Sequence, residues 1–335
     1  METTRRNARD LLEQLIAEDP NNSDYQLELA RSLLADASAR SRSQESNNPI
    51  PDLEEAIAIL EGLATNEPGN PDYQFQLADA LALSSPETRR YESPDEAAAR
   101  FSRSIEIARK LQNQFPNAPE YDILMANSLR QLSGIQNDQE KLSESQASVD
   151  EAVSILRRLN EVWPGHVIYR LSLARALHHS AMLERRLKNS ELSLLLLDEA
   201  VGLFDDVESF ADQPTSVRAT LSMIQRNRAE FLQRAGRESE ADEAWKLALE
   251  LAPWMNRGPE GSKPRGQYSG RPGGSERYPQ LQKPPGAVRP GTANRPPGPA
   301  AGRSEGGRPT RVPTNQNPTE RDRLERDRPP ADRKP

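Results

Sequence analysis

The sequence has no cysteine, few aromatic residues and no long apolar run. The absence of cysteine excludes a disulfide framework, a thiolate metal site and a cysteine nucleophile. No apolar stretch approaches the roughly 18 residues that a membrane span needs. The amphipathic start, with Glu13, Glu18 and Asp19, is unlike the apolar core of a secretory signal. These absences predict a cytoplasmic protein without a membrane span.

Proline and glycine are scarce over most of the chain and concentrate near its C-terminal end. The stretch 254–335 holds 16 of the 28 prolines and 12 of the 18 glycines. It carries 17 Lys and Arg against 8 Asp and Glu, so a stretch of net charge +9 follows a stretch, 1–253, of net charge −16. This division predicts a folded part at 1–256 and a disordered basic tail at 257–335.

The folded part contains an internal repeat with a period of 48. Prolines recur with this spacing at positions 20, 68, 116 and 164. Four further columns keep the same step: Tyr25, Tyr73, Tyr121 and Tyr169; Ala30, Ala78, Ala126 and Ala174; Leu33, Leu81, Leu129 and Leu177; and Leu15, Leu63, Leu111 and Leu159. A generic helix rich in Leu and Ala has a period near 3.6 but no such fixed long register.

Each copy reads as two helices separated by a proline turn. Apolar residues before and after Pro68 recur at steps of three and four, which indicates one apolar face on each helix. The intervening Pro-Gly-Asn-Pro-Asp stops one helix and starts the next, because proline lacks the amide that a helix interior needs. The pattern predicts antiparallel helical hairpins.

These hairpins resemble the tetratricopeptide repeat (TPR) family. In the segment 229–253, Ala241, Trp245, Ala248 and Pro253 occupy the second-helix positions at which that family has small, aromatic, small and proline residues. The resemblance covers the chain up to Pro253. It implies an all-α TPR-like solenoid of about 4.5–5 helix-turn-helix units, followed by the tail.

The period departs from the family, whose unit has about 34 residues. The additional residues fall between the first and second helices of a unit. Breakers predict loops there in the first three units, including Ser133-Gly134, whereas a breaker-free stretch from Ala181 predicts a continued helix in the fourth. Ser93 with Pro94 predicts a capped helix start. The step from Ala200 to Ala241 is 41, which predicts that the register is lost before the last unit.

The TPR resemblance implies a groove lined by first helices that binds a peptide or helix of a partner protein. Family positions map onto three rows: Leu27, Phe75, Ile123, Leu171 and Arg226; Arg31, Asp79, Asn127, Arg175 and Glu230; and Leu34, Ala82, Arg130, His178 and Gln233. The rows do not match the Lys/Asn/Arg carboxylate clamp of some members, so an amphipathic ligand is expected instead. Phe75, Ile123 and Leu171 also fit the alternative of packing against the adjacent helix.

The sequence offers little for catalysis. It has three histidines, of which His178 and His179 are adjacent on a helix and point about 100° apart. We interpret them as surface or groove residues. Zinc-protease, nucleotide-binding, hydrolase and kinase motifs are absent. We therefore expect a non-enzymatic protein without a metal or cofactor, whose partner the sequence does not identify.

The two ends of the chain leave further alternatives open. The array begins with an unpaired second-type helix at Asn7–Glu18 and ends on Trp245, Leu251 and Trp254. Because solenoids normally protect their terminal apolar faces, three alternatives are open: a larger protein once preceded this segment, the ends pair with the partner, or the protein self-associates through array ends. The Arg/Gly/Pro-rich tail fits an extension attracted to the acidic array, a contact to single-stranded nucleic acid or a ligand of a proline-rich-peptide reader. A nucleic-acid-associated protein is thus the alternative to a protein-interaction scaffold.

Overall fold

The computed structural model describes residues 2–40, 48–83, 88–207 and 210–253, and these residues form α-helices without a strand. The predicted tail at 257–335 lies outside the described residues. The helices are α1 (Glu2–Glu18), α2 (Ser23–Arg40), α3 (Ile50–Asn66), α4 (Pro71–Leu81), α5 (Thr88–Tyr91), α6 (Pro94–Gln114), α7 (Pro119–Asp138), α8 (Leu142–Val162), α9 (Val167–Arg186), α10 (Ser190–Gly202), α11 (Thr215–Arg234) and α12 (Glu238–Leu251), with a 3₁₀ turn at Phe210–Asp212.

The helices alternate between two roles. We define the first helices as α2, α4, α7, α9 and α11, and the second helices as α3, α6, α8, α10 and α12. Each first helix packs against the second helix that follows it, and each second helix packs against the next first helix. The helix α1 packs on α2 as a second-type helix, as predicted, although it begins at Glu2. The all-α, TPR-like solenoid is thereby confirmed for the described residues.

The turns that lead from a second helix into a first helix repeat one hydrogen-bond pattern. The amides of Asp19, Glu67, Phe115 and Trp163 donate to the carbonyls of Leu15, Leu63, Leu111 and Leu159. Three residues later, a second amide donates back to each of these turn residues. The proline that follows each turn residue has no amide to donate, so the helix stops at the same point in each copy. The prediction that a proline turn separates the two helices is confirmed.

The turns that lead from a first helix into a second helix repeat with the same period. Glu140, Lys188 and Gly236 have positive φ angles of 63°, 68° and 76°. In each turn the amide of the next residue donates over 2.9 Å to a carbonyl five residues back. This is the Schellman arrangement that satisfies the last carbonyls of a helix. Three hairpins are therefore closed by the same tight turn.

The tight turn at Glu140 shows that the predicted loop around Ser133-Gly134 was wrong. The helix α7 continues through both residues to Asp138. The Ser133 side chain is buried and its hydroxyl donates to the Ser145 carbonyl over 2.8 Å, so a residue typical of loops is satisfied inside a helix pair. The predicted continuation of the helix from Ala181 is confirmed, because α9 extends to Arg186.

The earlier inserts are described only in part. The loops predicted around 47–51 and 84–94 lie in part outside the described residues, which omit 41–47 and 84–87. In the described part, α3 already begins at Ile50 and α5 covers Thr88–Tyr91, so these stretches are not loops throughout. The predicted start at Ser93 is confirmed: its hydroxyl accepts from the Glu96 amide, and the Glu96 carboxylate accepts from the Ser93 amide over 2.7 Å. This reciprocal capping box fixes the first turn of α6.

The predicted loss of register before the last unit was also wrong. The second helices α8, α10 and α12 begin at Leu142, Ser190 and Glu238, which keep the step of 48. The helix α12 has 14 residues whereas α8 has 21. The helix α12 is therefore about two helical turns shorter than α8, and the difference lies at its C-terminal end. Ala248, not Ala241, thus occupies the position of Ala152 and Ala200.

The core lies between the two sets of helices. The alanine column Ala30, Ala78, Ala126 and Ala174 is fully buried. These small side chains let neighbouring helix axes approach closely. Large buried side chains such as Phe101, Leu156 and Leu177 fill the remaining space. The same column continues in α11 as Ser222, whose hydroxyl donates to the Ala248 carbonyl over 2.8 Å.

Charged pairs join consecutive second helices at the same register. Glu61 pairs with Arg103, Arg109 with Glu151 over 2.7 Å and Arg157 with Glu199 over 2.7 Å. Arg157 and Glu199 lie 48 residues after Arg109 and Glu151, so the second and third pairs are related by one full period. The first pair joins α3 to α6. We call these three pairs the ion-pair ladder.

Both positions that lie one period before the first pair are occupied by glutamate. Glu13 and Glu55 occupy the register positions of Glu61 and Arg103 in the preceding unit. Arg9 donates to both carboxylates over 2.8 Å, so a single cation on α1 replaces the missing positive member of that pair.

Candidate functional site

The first helices form one layer in which polar groups join neighbouring helices. The His179 ring nitrogen Nε2 lies 3.1 Å from the Ser133 hydroxyl, which links α9 to α7. Arg175 Nε donates to the Thr220 hydroxyl over 3.3 Å, which links α9 to α11. This layer corresponds to the predicted groove, and the three predicted rows lie along it.

The first predicted row is mostly buried. Ile123 is 0% exposed and Leu171 is 7% exposed, and both belong to the central core. Phe75 is partly buried and meets the Tyr121 ring edge-on, with the ring centroids 5.6 Å apart. Leu27 packs against the N-terminal core. Packing against the adjacent helix therefore explains Ile123 and Leu171, and only Leu27 and Phe75 present apolar surface in this row.

The second predicted row is polar and partly exposed. The Arg31 side chain is 45% exposed, and its guanidinium donates to Glu28 over 2.5 Å. Asp79, Asn127 and Arg175 are partly buried, and the Asn127 amide donates to the Ile123 carbonyl over 2.9 Å. Side chains from four consecutive first helices thus supply both signs of charge and an amide along one row.

The third predicted row contains Arg130 and His178, which are both partly buried. Asn227 Nδ2 lies 2.5 Å from the His178 ring nitrogen Nε2 and donates to it. Burial, reinforced by the positive charges of Arg130 and Arg185, lowers the pKa of His178 to about 4. His178 is therefore a neutral hydrogen-bond acceptor within the layer. His178 and His179 are both half-buried in this layer, where each joins two first helices, and the assignment of His178 to a binding groove stays a prediction.

The retained register corrects the residues assigned to the fifth first helix. Arg226, Glu230 and Gln233 were assigned to the rows although they lie 55 residues, not 48, after Leu171, Arg175 and His178. With the period of 48, the three rows fall instead on Ala219, Met223 and Arg226. Arg226 lies over the Trp245 ring, 5.8 Å from its centroid. The sequence carried the signal for this placement in Ala152, Ala200 and Ala248, which keep the step of 48.

The described residues offer no arrangement typical of an active site. No group of three His, Asp or Glu side chains in the described ranges could hold a metal ion. Burial raises the pKa of Tyr121 and of Tyr169 to about 12, so both phenols stay protonated near neutral pH. Burial also raises the pKa of Asp122, against the opposing effect of Arg158, which donates to it over 2.7 Å.

Two clefts lie beside the second helices. A cleft of about 470 Å³ between α8 and α10 is lined by Val153, Arg157 and Leu196 among others. A cleft of about 180 Å³ near the end of α12 is lined mainly by apolar residues, including Phe204 and Leu251. Within the described ranges, the helices are too short or too polar to cross a membrane.

Both ends of the described array expose leucine. Leu11 of α1 is 56% exposed and Leu249 of α12 is 43% exposed. Self-association through these ends stays a prediction, as does the division of the chain near residue 256.

Comparison with known proteins identifies a fold. No family model and no curated protein matches the sequence. Among solved structures, the chain is similar to BtubC (BKLC) from P. vanneervenii, with a TM-score of 0.55 and 15% identity over 80% of this chain and 94% of that one. It is also similar to the TPR protein TTC0263 from Thermus thermophilus, with a TM-score of 0.36 and 17% identity over 69% and 92% of the two chains.

A further similar structure is MamA from Desulfovibrio magneticus, with a TM-score of 0.38 and 15% identity over 69% of this chain and 97% of that one. At such identities the likeness shows the fold alone. The repeated proline turns, the alternating first and second helices and the similarity to BtubC lead to one conclusion. The described part of the chain is a TPR-like solenoid of helical hairpins.

Proposed function

We propose that the chain is a non-enzymatic protein-interaction scaffold that binds a peptide or helix of a partner protein on its first-helix layer. The observation that carries the proposal is the polar row Arg31, Asp79, Asn127 and Arg175. These side chains come from four consecutive first helices, and each keeps some exposed surface. A regular series of charges and amides can hydrogen-bond to an elongated ligand over several units.

Burial of Ile123 and Leu171 changes the kind of ligand that this layer suits. With these side chains in the core, the apolar contacts left to a ligand are Leu27 and Phe75, towards the N-terminal end of the layer. The ligand that fits is therefore a segment with a short apolar part and a longer polar part of mixed charge. Arg31 and Arg175 suit its acidic groups, and Asp79 suits a basic one.

The test uses the full chain as bait in native lysate. Arg31→Glu and Asp79→Lys reverse charges on the layer, and Asp150→Lys makes the same kind of change on an exposed residue of the second helix α8. We expect a captured protein to be lost with either layer variant and kept with the control. Undiminished capture by both layer variants, with unchanged circular dichroism, would contradict the proposal.

The nucleic-acid alternative and the absence of enzymatic activity stay predictions. The basic tail on which the alternative depends lies outside the described residues. Loss of salt-sensitive RNA or DNA binding on deletion of 257–335 would favour that alternative, and turnover in a broad activity screen would contradict the non-enzymatic assignment.

A further inference from the structure

The outer face of α10 differs from the same face of other second helices. Leu192 is 43% exposed and Leu195 is 59% exposed. Three other second helices carry charged or small residues at these two register positions: Glu96 and Ala99 in α6, Glu144 and Ala147 in α8, and Glu240 and Glu243 in α12. Among these four helices, leucine at these positions is peculiar to α10.

The core does not require these two leucines. The face of α10 that packs inward is formed by Ser193, Leu197 and Ala200, which are all buried. Leu192 and Leu195 point away from it, three residues apart, and so share one stripe of the helix. Exposed leucines that are adjacent on a helix favour burial against a partner.

Charged residues flank the two leucines in a self-complementary order. Leu192, Leu195 and Glu199 follow one another on α10 at steps of three and four residues, and Lys188 lies in the tight turn just before the helix. In chain order, Lys188 and Glu199 thus enclose the two leucines. If a second copy of the stripe runs antiparallel, Leu192 of one copy lies opposite Leu195 of the other. Lys188 then lies opposite Glu199, and the same contact occurs twice. This is the condition for an isologous two-fold interface.

The positions of the two charges also favour an intermolecular role. A lysine before a helix N-terminus and a glutamate near its C-terminus are each unfavourable to the helix dipole. Next to an antiparallel copy, both charges meet the oppositely oriented end of the partner helix. Glu199 already accepts two hydrogen bonds from Arg157, over 2.9 and 2.7 Å, which hold its carboxylate on this face.

We propose that α10 is a homodimer contact, in which Leu192, Leu195 and Glu199, with Lys188 in the turn before them, pair antiparallel with the same residues of a second copy. The chain's own tail is a poorer occupant, because its only leucines, Leu281 and Leu324, are far apart in sequence. One helix pair buries little surface, so the dimer is weak and its formation depends on concentration.

The first experiment is sedimentation velocity on the full chain over a concentration series into the high micromolar range. We expect wild type to shift towards dimer and Leu195→Glu to weaken the association at least about tenfold, because it places two carboxylates in the apolar centre of the contact. The matched control is Leu249→Glu, which alters another exposed leucine, at the array end, and leaves the association unchanged.

Two outcomes overturn the proposal. If Leu249→Glu abolishes association and Leu195→Glu does not, the copies pair through the array end. If wild type is monomeric throughout, α10 is covered by another occupant, such as the tail or a different protein. Leu195→Glu lies on an exposed second-helix surface, so loss of the dimer with intact partner capture separates this contact from the proposed first-helix function.

The second experiment tests the antiparallel register with charge exchange. Lys188→Glu and Glu199→Lys each create like-charge contacts when a variant pairs with itself. An equimolar mixture restores both opposite-charge contacts in the mixed dimer. We therefore expect each variant alone to be monomeric and the mixture to dimerise. A mixture as monomeric as the separate variants would overturn the antiparallel arrangement.

Discussion

In this array, the interactions that join one first helix to the next differ from those that join one second helix to the next. Between first helices the contacts are partly buried and include neutral groups, such as His179 with Ser133 and His178 with Asn227. Between second helices they are the exposed Arg–Glu pairs of the ion-pair ladder. Both sets join helices that are neighbours in the repeat, yet only the first set lies where water is largely excluded.

This difference implies an unequal contribution to stability. A buried polar group that loses its partner incurs the full cost of desolvation, whereas an exposed ion pair contributes at most about 1 kcal/mol. The first-helix layer should therefore determine whether the array folds. The ladder should mainly adjust how neighbouring second helices are aligned.

The largest expected effect comes from the core beneath the first-helix layer. Ile123→Ala removes a fully buried side chain and should lower the free energy of unfolding by about 2–5 kcal/mol, because a cavity remains. Urea denaturation monitored by circular dichroism measures the loss. A loss no larger than that of an ordinary surface substitution, about 0.5 kcal/mol, would mean that Ile123 faces the groove, as the first predicted row had it.

A smaller effect is expected from protonation of His178. Because its pKa is lowered from 6.5 to about 4, the stabilisation is fully present above pH 6.5 and is lost as the pH falls towards 4. We expect about 2 kcal/mol to be lost between about pH 7.5 and pH 5 on this account. His178→Gln keeps an acceptor for Asn227 but does not titrate.

Urea denaturation of both proteins at the two pH values measures the effect. Burial also lowers the pKa of His166, but that contribution is common to wild type and variant and cancels in the comparison. An equal loss of stability in the two proteins would show that His178 is already accessible to protons in the folded state.

The smallest effect is expected from the ion-pair ladder. A double-mutant cycle with Arg109→Ala and Glu151→Ala should give a coupling free energy below about 1 kcal/mol, since both side chains are exposed. The coupling should vanish at about 1 M salt through screening. A coupling of several kcal/mol that persists at that salt concentration would remove the distinction between the two layers.

The sequence was sufficient to predict the helical hairpins and the turns between units. Proline at 20, 68, 116 and 164 acts locally, because its missing amide stops a helix in any tertiary context. The capping box at Ser93 is similarly local, since all of its groups belong to Ser93 and Glu96. Such features need no knowledge of which helices become neighbours.

Other features depend on contacts between distant residues and were missed. Ser133 and Gly134 suggest a loop, but burial of Ser133 against Ser145 and His179 stabilises a continuous helix. Burial of His178 depends on α11, which follows only after another helix has intervened in the chain. The first predicted row could be predicted only in part, because an isoleucine or a leucine suits a contact with a neighbouring helix and a contact with a ligand equally well. The residue types of Ile123 and Leu171 therefore did not distinguish the two.

The tight turns at Glu140, Lys188 and Gly236 have a consequence for how the array can grow. The segment 142–189 runs from just after the first of these turns to just after the second, and it comprises one second helix and one first helix. An inserted copy of this segment would begin and end in the same hydrogen-bonded turn, with no new loop to be accommodated. The hairpin tips, like the proline turns, are therefore points at which a further unit of 48 residues can be joined without a change in the local turn.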